Sequence, residues 1–100
     1  MKLIIILGNR AYESQLKQIL KDADVKVFSA DKIEGFHFNG DKNISDNWFA
    51  SDNRSENSVM LFAFSHKEKI DTVFEKIKIF NDNDLTSKVH AFRLNVEDAV

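Results

Sequence analysis

Two segments of this chain are apolar on both faces of a strand. In Leu3-Ile4-Ile5-Ile6-Leu7, residues 3, 5 and 7 project to one side and 4 and 6 to the other, and all are aliphatic. In the stretch from Val59 to Phe64, Val59, Leu61 and Ala63 oppose Met60, Phe62 and Phe64. Successive strand residues point to opposite faces of a sheet. Both strands therefore need covering twice, and a single layer of helices covers them once.

The rest of the chain supplies only that single layer. After Gly8, residues Tyr12, Leu16, Ile19, Leu20 and Ala23 recur at helical spacing, with Glu13, Lys17, Gln18 and Lys21 on the outside. Val25 and Val27 then alternate with Lys26 and Phe28, which predicts a second strand from Val25 to Ile33. The stretch from Glu34 to Asn57 breaks every pattern. It is 24 residues rich in Asn, Asp and Ser, and it holds Gly35 and Gly40. Loops longer than ~15 residues in a compact domain are usually functional or disordered. A third strand is expected over Ser58–Ser65. Ser65-His66-Lys67-Glu68 matches a capping box, in which the Ser hydroxyl and Glu68 satisfy reciprocal backbone amides. Ile70, Val73, Phe74, Ile77 and Phe80 mark the helix that follows, Asn81–Ser87 breaks it, and Val89 to Val96 reads as a last strand.

Strand–helix–strand thus occurs twice, separated by a long loop. Two split βαβ units make an α+β, ferredoxin-like βαββαβ sandwich: a four-stranded antiparallel sheet with both helices on one face. One domain spans residues 1–100, with a long mobile loop at about 34–57. The second sheet face is left apolar. Burying one such side chain is worth ~1.5–3 kcal/mol, and a patch of them exposed on a monomer invites aggregation. Oligomerisation is the expected cover. The alternative is that Phe36, Phe38, Trp48 and Phe49 of the loop fold back over the face.

Composition removes several functions. The chain has 100 residues and no Cys, which excludes disulfides, thiolate nucleophiles and Cys-based metal centres. A net charge of −2 argues against nucleic acid as a partner. No apolar run approaches the ~20 residues that span a bilayer. Residues 1–7 are too short an apolar run for a signal peptide, so cytoplasmic residence is the expectation.

Candidate chemistry is sparse. No G-x-S-x-G, Walker-type or G-x-G-x-x-G motif is present, and the chain is read as a non-enzyme. His37 with Asp41 and Asp46 in the loop offers imidazole and carboxylates that suit a divalent transition metal, against the plainer reading of a solvated loop histidine. His66 is expected exposed in a first helical turn. His90 shares a strand face with Phe92 and Leu94. A small oligomeric ferredoxin-like enzyme using His37 or His90 as general base is the alternative from a different class. Phe62-Ala63-Phe64 superficially resembles the base-stacking aromatics of RNA-recognition domains. The first strand lacks the matching aromatic, so core or interface packing accounts for these residues better.

Ile33-Glu34-Gly35-Phe36 resembles the V/I-x-G-F segment that opens the long loop of the PII-like signalling proteins. Lys88-Val89-His90 through Val96-Glu97-Asp98-Ala99-Val100 is similar to that family's last strand and V-E-x-A/V tail. The resemblance implies a homotrimer with its sheets facing inward and a small effector held in the clefts between subunits. It also implies a loop that acts on a membrane transporter or an enzyme. Gly35, Phe36, His37, Trp48 and Lys88 would then line the effector site. Likeness to members associated with heavy-metal efflux pumps would make the protein metal-responsive, with His37 and Asp41 as ligands. Two departures mark a divergent member. The family's Gly-rich nucleotide turn is here Asn81-Asp82-Asn83-Asp84-Leu85-Thr86-Ser87-Lys88. It keeps the lysine but loses the glycines that let backbone amides cradle phosphate, which argues against an adenine nucleotide. The family's modified loop tyrosine is also missing, since the one Tyr is Tyr12.

Overall fold

A computed structural model describes residues 1–36, 56–83 and 88–100. Its elements are β1 (Lys2–Asn9), a 3-10 turn (Arg10–Tyr12), α1 (Glu13–Asp22), β2 (Ser29–Gly35), β3 (Glu56–Ser65), α2 (Lys67–Asp82) and β4 (His90–Asn95). The strands form one antiparallel sheet in the order β2-β3-β1-β4. This is the ferredoxin-like α+β sandwich expected from the alternation of elements.

The register fixes which residues share a face. Ile4 pairs with Ala63, Ile6 with Leu61 and Gly8 with Val59, and all six are buried against the helices. Leu16 and Leu20 of α1 and Ile70, Val73 and Ile77 of α2 close that core. Gly8 is there because α1 and the chain leading to β4 both press on it. A Cβ at this position would stand 3.3 Å from Leu16 Cδ1 and 3.3 Å from Val89 Cγ2. Tyr12 lies in the 3-10 turn, half-buried, with its ring edge-on to Phe80 at 5.4 Å.

Three expected boundaries move. The second strand starts at Ser29, not Val25. Helix α1 is closed by Asp24 in the left-handed region, φ 64°, and the Val25 amide donates to the Leu20 carbonyl at 2.9 Å. Val25 is therefore buried as part of the helix end, which produced the apparent alternation. The capping box does not form. Ser65 is the last residue of β3, buried and paired with Lys2, so the N-cap of α2 falls on His66, which is exposed and makes no side-chain cap. Finally, α2 runs through Asn81 and Asp82 before ending at Asn83. Asn81 looks like a breaker in the sequence, but its carboxamide bonds the backbone of Val89.

Pairing of β2 with β3 continues to Gly35↔Glu56. The connection that leaves the sheet therefore joins residues 36 and 55, two residues inside each end expected from sequence.

Candidate functional site

The end of the sheet where β1 and β2 finish and β3 and β4 begin carries the predicted site. Gly35 is buried at the end of the β2–β3 ladder. Phe36 follows it with 64% of its surface exposed. Lys88 is exposed and donates from Nζ to the Asn81 carbonyl at 2.8 Å, across the C-terminal turn of α2. Gly35 and Phe36 stand together, but Lys88 does not join them within one chain. Strands β2 and β4 are opposite edges of the sheet, about 14 Å apart at ~4.8 Å per strand spacing. His37, Asp41, Asp46, Trp48 and the turn 84–87 lie outside the described residues. Among the described residues no group of three or more His, Asp or Glu is placed to hold a metal ion.

Arg10 is a member of this end that the sequence did not single out. Asn9 Oδ1 accepts from the Ala11 amide at 2.8 Å and caps the 3-10 turn, which turns Arg10 under the end of β2. Its Nη2 donates to the Ile33 carbonyl at 3.4 Å, while its buried Nε meets no acceptor among the described residues. Nearby, Glu13 forms an ion pair with Lys17 at 2.9 Å. Lys17, with smaller contributions from Lys32 and Arg10, holds the Glu13 carboxyl below its ordinary value. Lys17, Lys32 and Arg10 thus all favour the charged form of one carboxylate. The signal for this was Gly8-Asn9 closing a buried strand, which marks a tight turn and so the position of the next side chain.

The second feature is the sheet face away from the helices. Ile5 pairs with both Phe62 and Phe92, Leu3 with Phe64 and Leu94, and Leu7 with Met60 and His90. Paired residues share a face, so these nine side chains form one surface. The rings of Phe62 and Phe64 meet edge-on at 6.5 Å. Phe64 is 55% exposed and Leu94 48% exposed. Phe62 and Phe64 therefore belong to this open face rather than to the core. His90 sits within it, among apolar neighbours.

No family model matches the chain, and no curated protein matches it in sequence. Solved structures do match its shape. One is a PII-like signalling protein candidate from Thermus thermophilus, with TM-score 0.66 and 16% identity over 95% of this chain and 84% of that one. Another is CPII, a nitrogen regulatory PII-like protein from Thiomonas intermedia bound to ADP, AMP and bicarbonate, with TM-score 0.63 and 16% identity over 99% of this chain and 94% of that one. Sheet order, helix placement and the position of the long connection together give this chain the fold of the PII-like signalling proteins.

Proposed function

We propose that this protein is a PII-like regulator rather than a catalyst. It works as a homotrimer closed by the open sheet face, takes a small effector between subunits, and acts on a transporter or an enzyme through the connection between β2 and β3. The observation that carries this reading is the apolar surface of Leu3, Ile5, Leu7, Met60, Phe62, Phe64, Phe92 and Leu94. It lies on a fold whose solved examples include nitrogen regulatory and signalling proteins. The separation of Phe36 from Lys88 supports the same view. A site that uses both is completed when the β2 edge of one copy meets the β4 edge of the next. Arg10 and the cations around Glu13 favour an anionic effector at that junction.

Light scattering coupled to gel filtration tests the assembly. The expected mass is three times 11.5 kDa, and a stable 11.5 kDa species at micromolar concentration overturns the proposal. Trp48 is the only tryptophan, so its emission reports the connection alone. A shift to the blue on adding an effector or target supports the role given to that segment, and indifference to every effector and to cell extract counts against it.

A further inference from the structure

The helix layer carries a cavity that the regulatory reading leaves unused. It opens between α1 and α2, holds about 240 Å³, and is lined by Ile19, Asp22, Lys76, Ile79, Phe80 and Asn83. Half of that lining is apolar. Ile19 and Phe80 are half-buried against the core, and the ring of Tyr12 meets Phe80 edge-on at 5.4 Å. Ile79 is the odd member of α2. Ile70, Val73 and Ile77 are the buried stripe of that helix, and Ile79 falls outside it with 64% of its surface exposed. The two charges on the lining are exceptional as well. Lys67, Lys69 and Lys78 of α2 each reach a carboxylate, on Asp71, Asp24 and Glu75. Lys76, the remaining lysine of the helix, is half-buried and joins no ion pair among the described residues. Asp22 accepts from Gln18 at 2.8 Å through Oδ1, and among the described residues it pairs with no cation either. Asp22 and Lys76 thus line one cavity without neutralising each other.

A ligand that satisfies this lining carries a cation and an anion on one small body, with an apolar group beside them. Volume limits it further. Drug-sized ligands fill pockets of roughly 300–1,000 Å³, so a cavity of about 240 Å³ suits a smaller molecule. We propose that the groove binds the zwitterion of an apolar α-amino acid. The ligand's ammonium group donates to the Asp22 carboxylate. Asp22 is the last residue of α1, and a helix C-terminus itself favours a cation. The ligand's carboxylate accepts from Lys76, a charge-assisted bond at the second end of the same short molecule. Its side chain lies on Ile19, Ile79 and Phe80, which takes the exposed isoleucine of α2 out of water. Recognition of both charges selects a free amino acid over a residue within a peptide, which carries neither. The cavity belongs to the helix layer, on the far side of the sheet from the apolar surface of Leu3, Ile5 and Leu7. Closing that surface in an assembly leaves the groove facing solvent, so this site goes beyond the regulatory reading and does not depend on it.

Titration with L-leucine, followed by backbone amide resonances in heteronuclear NMR, tests the site. Saturable shifts concentrated in residues 19–23 and 76–83 are expected. N-acetyl-L-leucine lacks the ammonium group and L-leucinamide lacks the carboxylate. Each is expected to bind about tenfold more weakly, the scale of one lost charge-assisted hydrogen bond. Asp22→Asn and Lys76→Met change residues outside the buried core and assign the two charges. The preference for leucine over its N-acetyl derivative is expected to vanish in Asp22→Asn, and the preference over leucinamide in Lys76→Met. No saturable shift with leucine overturns the proposal. Equal binding of the three compounds overturns it too, by reducing the groove to an apolar patch, and so do preferences that survive both substitutions. Self-association of the wild type that Ile79→Ser abolishes would give the groove to a second copy and overturn it as well. A protein that light scattering finds monomeric and that binds leucine in the expected pattern removes the trimer and leaves this site standing.

Discussion

The Asn81 carboxamide holds the backbone of Val89 by both of its groups. Nδ2 donates to the Val89 carbonyl and Oδ1 accepts from the Val89 amide, each at 2.8 Å. This imitates one rung of a β-ladder and ties the last turn of α2 to the start of β4. Because Val89 is buried, neither backbone group finds water when the side chain is removed. Asn81→Ala is expected to cost about 2–3 kcal/mol, two lost hydrogen bonds plus the penalty for buried unpaired groups. Asn81→Asp keeps the acceptor but sets a carboxylate oxygen against the Val89 carbonyl. It should be at least as damaging at neutral pH and partly recover in acid. Urea unfolding midpoints at two pH values check both.

Asp71 gives a second, pH-dependent link. It bonds Lys67 at 2.7 Å along α2 and Arg93 of β4 at 2.6 Å, and the Arg93 guanidinium lies over the Phe74 ring at 4.4 Å. The bond from Lys67, then that from Arg93, hold the Asp71 carboxyl below its ordinary value of 3.8. A carboxylate lowered in the folded state stabilises fully above its unfolded value and loses that contribution as pH falls through the folded one. The stability gap between wild type and Asp71→Asn should therefore be constant at neutral pH and shrink below pH 3.8. A gap that stays constant down to pH 2 would show that the ion pairs add nothing.

How far the sequence reveals this arrangement depends on the kind of signal each residue carries. The aliphatic run of β1 and the double-faced pattern of β3 are readable because strand geometry alone decides which side each residue takes. Leu16, Leu20, Ile70, Val73 and Ile77 are readable for the same reason at helical period. Ser65 misleads because the capping signature is local, whereas pairing with Lys2 is a contact between distant residues. Val25 misleads because a buried valine looks alike in a strand and in a helix end. Arg10 and Asn81 are invisible in one dimension, since what distinguishes them is a backbone carbonyl or amide 23 and 8 residues away. The candidate effector residues divide in the same way. Gly35, Phe36 and Lys88 can be placed, but their distance apart follows from the strand order β2-β3-β1-β4, which no local pattern encodes.

Phe64→Glu tests the open face without attacking the core. Phe64 is 55% exposed in the single chain, so the charge costs the monomer fold little. In an assembly that covers this face the same charge would be buried without a partner. The loss of one buried aromatic alone is worth ~1.5–3 kcal/mol, or roughly a ten- to hundredfold weaker association per contact. The expected outcome is a shift from trimer to monomer on light scattering with an unchanged circular dichroism spectrum. A variant that remains trimeric would mean that this face is not the interface.

The effector proposed above is constrained by the sequence before β4. Phosphate binding by a loop needs successive backbone amides turned inward, which glycine permits at little cost. Residues 81–88 contain no glycine and carry Asp82 and Asp84, whose charge repels a polyphosphate. Lys88 is moreover engaged with the Asn81 carbonyl at 2.8 Å. ATP and ADP should therefore bind weakly or not at all in calorimetric titration. A small anion asks only for a cation and one or two donors. A ligand present at about 100 times its Kd adds roughly 2.7 kcal/mol of stability, so a thermal shift series separates the two classes. A shift with a small inorganic anion at millimolar concentration, reduced in Arg10→Ala or Lys88→Ala and absent with ATP, is the expected pattern. Micromolar ATP affinity that survives in the wild type and disappears in Lys88→Ala would instead show that this turn binds polyphosphate without its glycines.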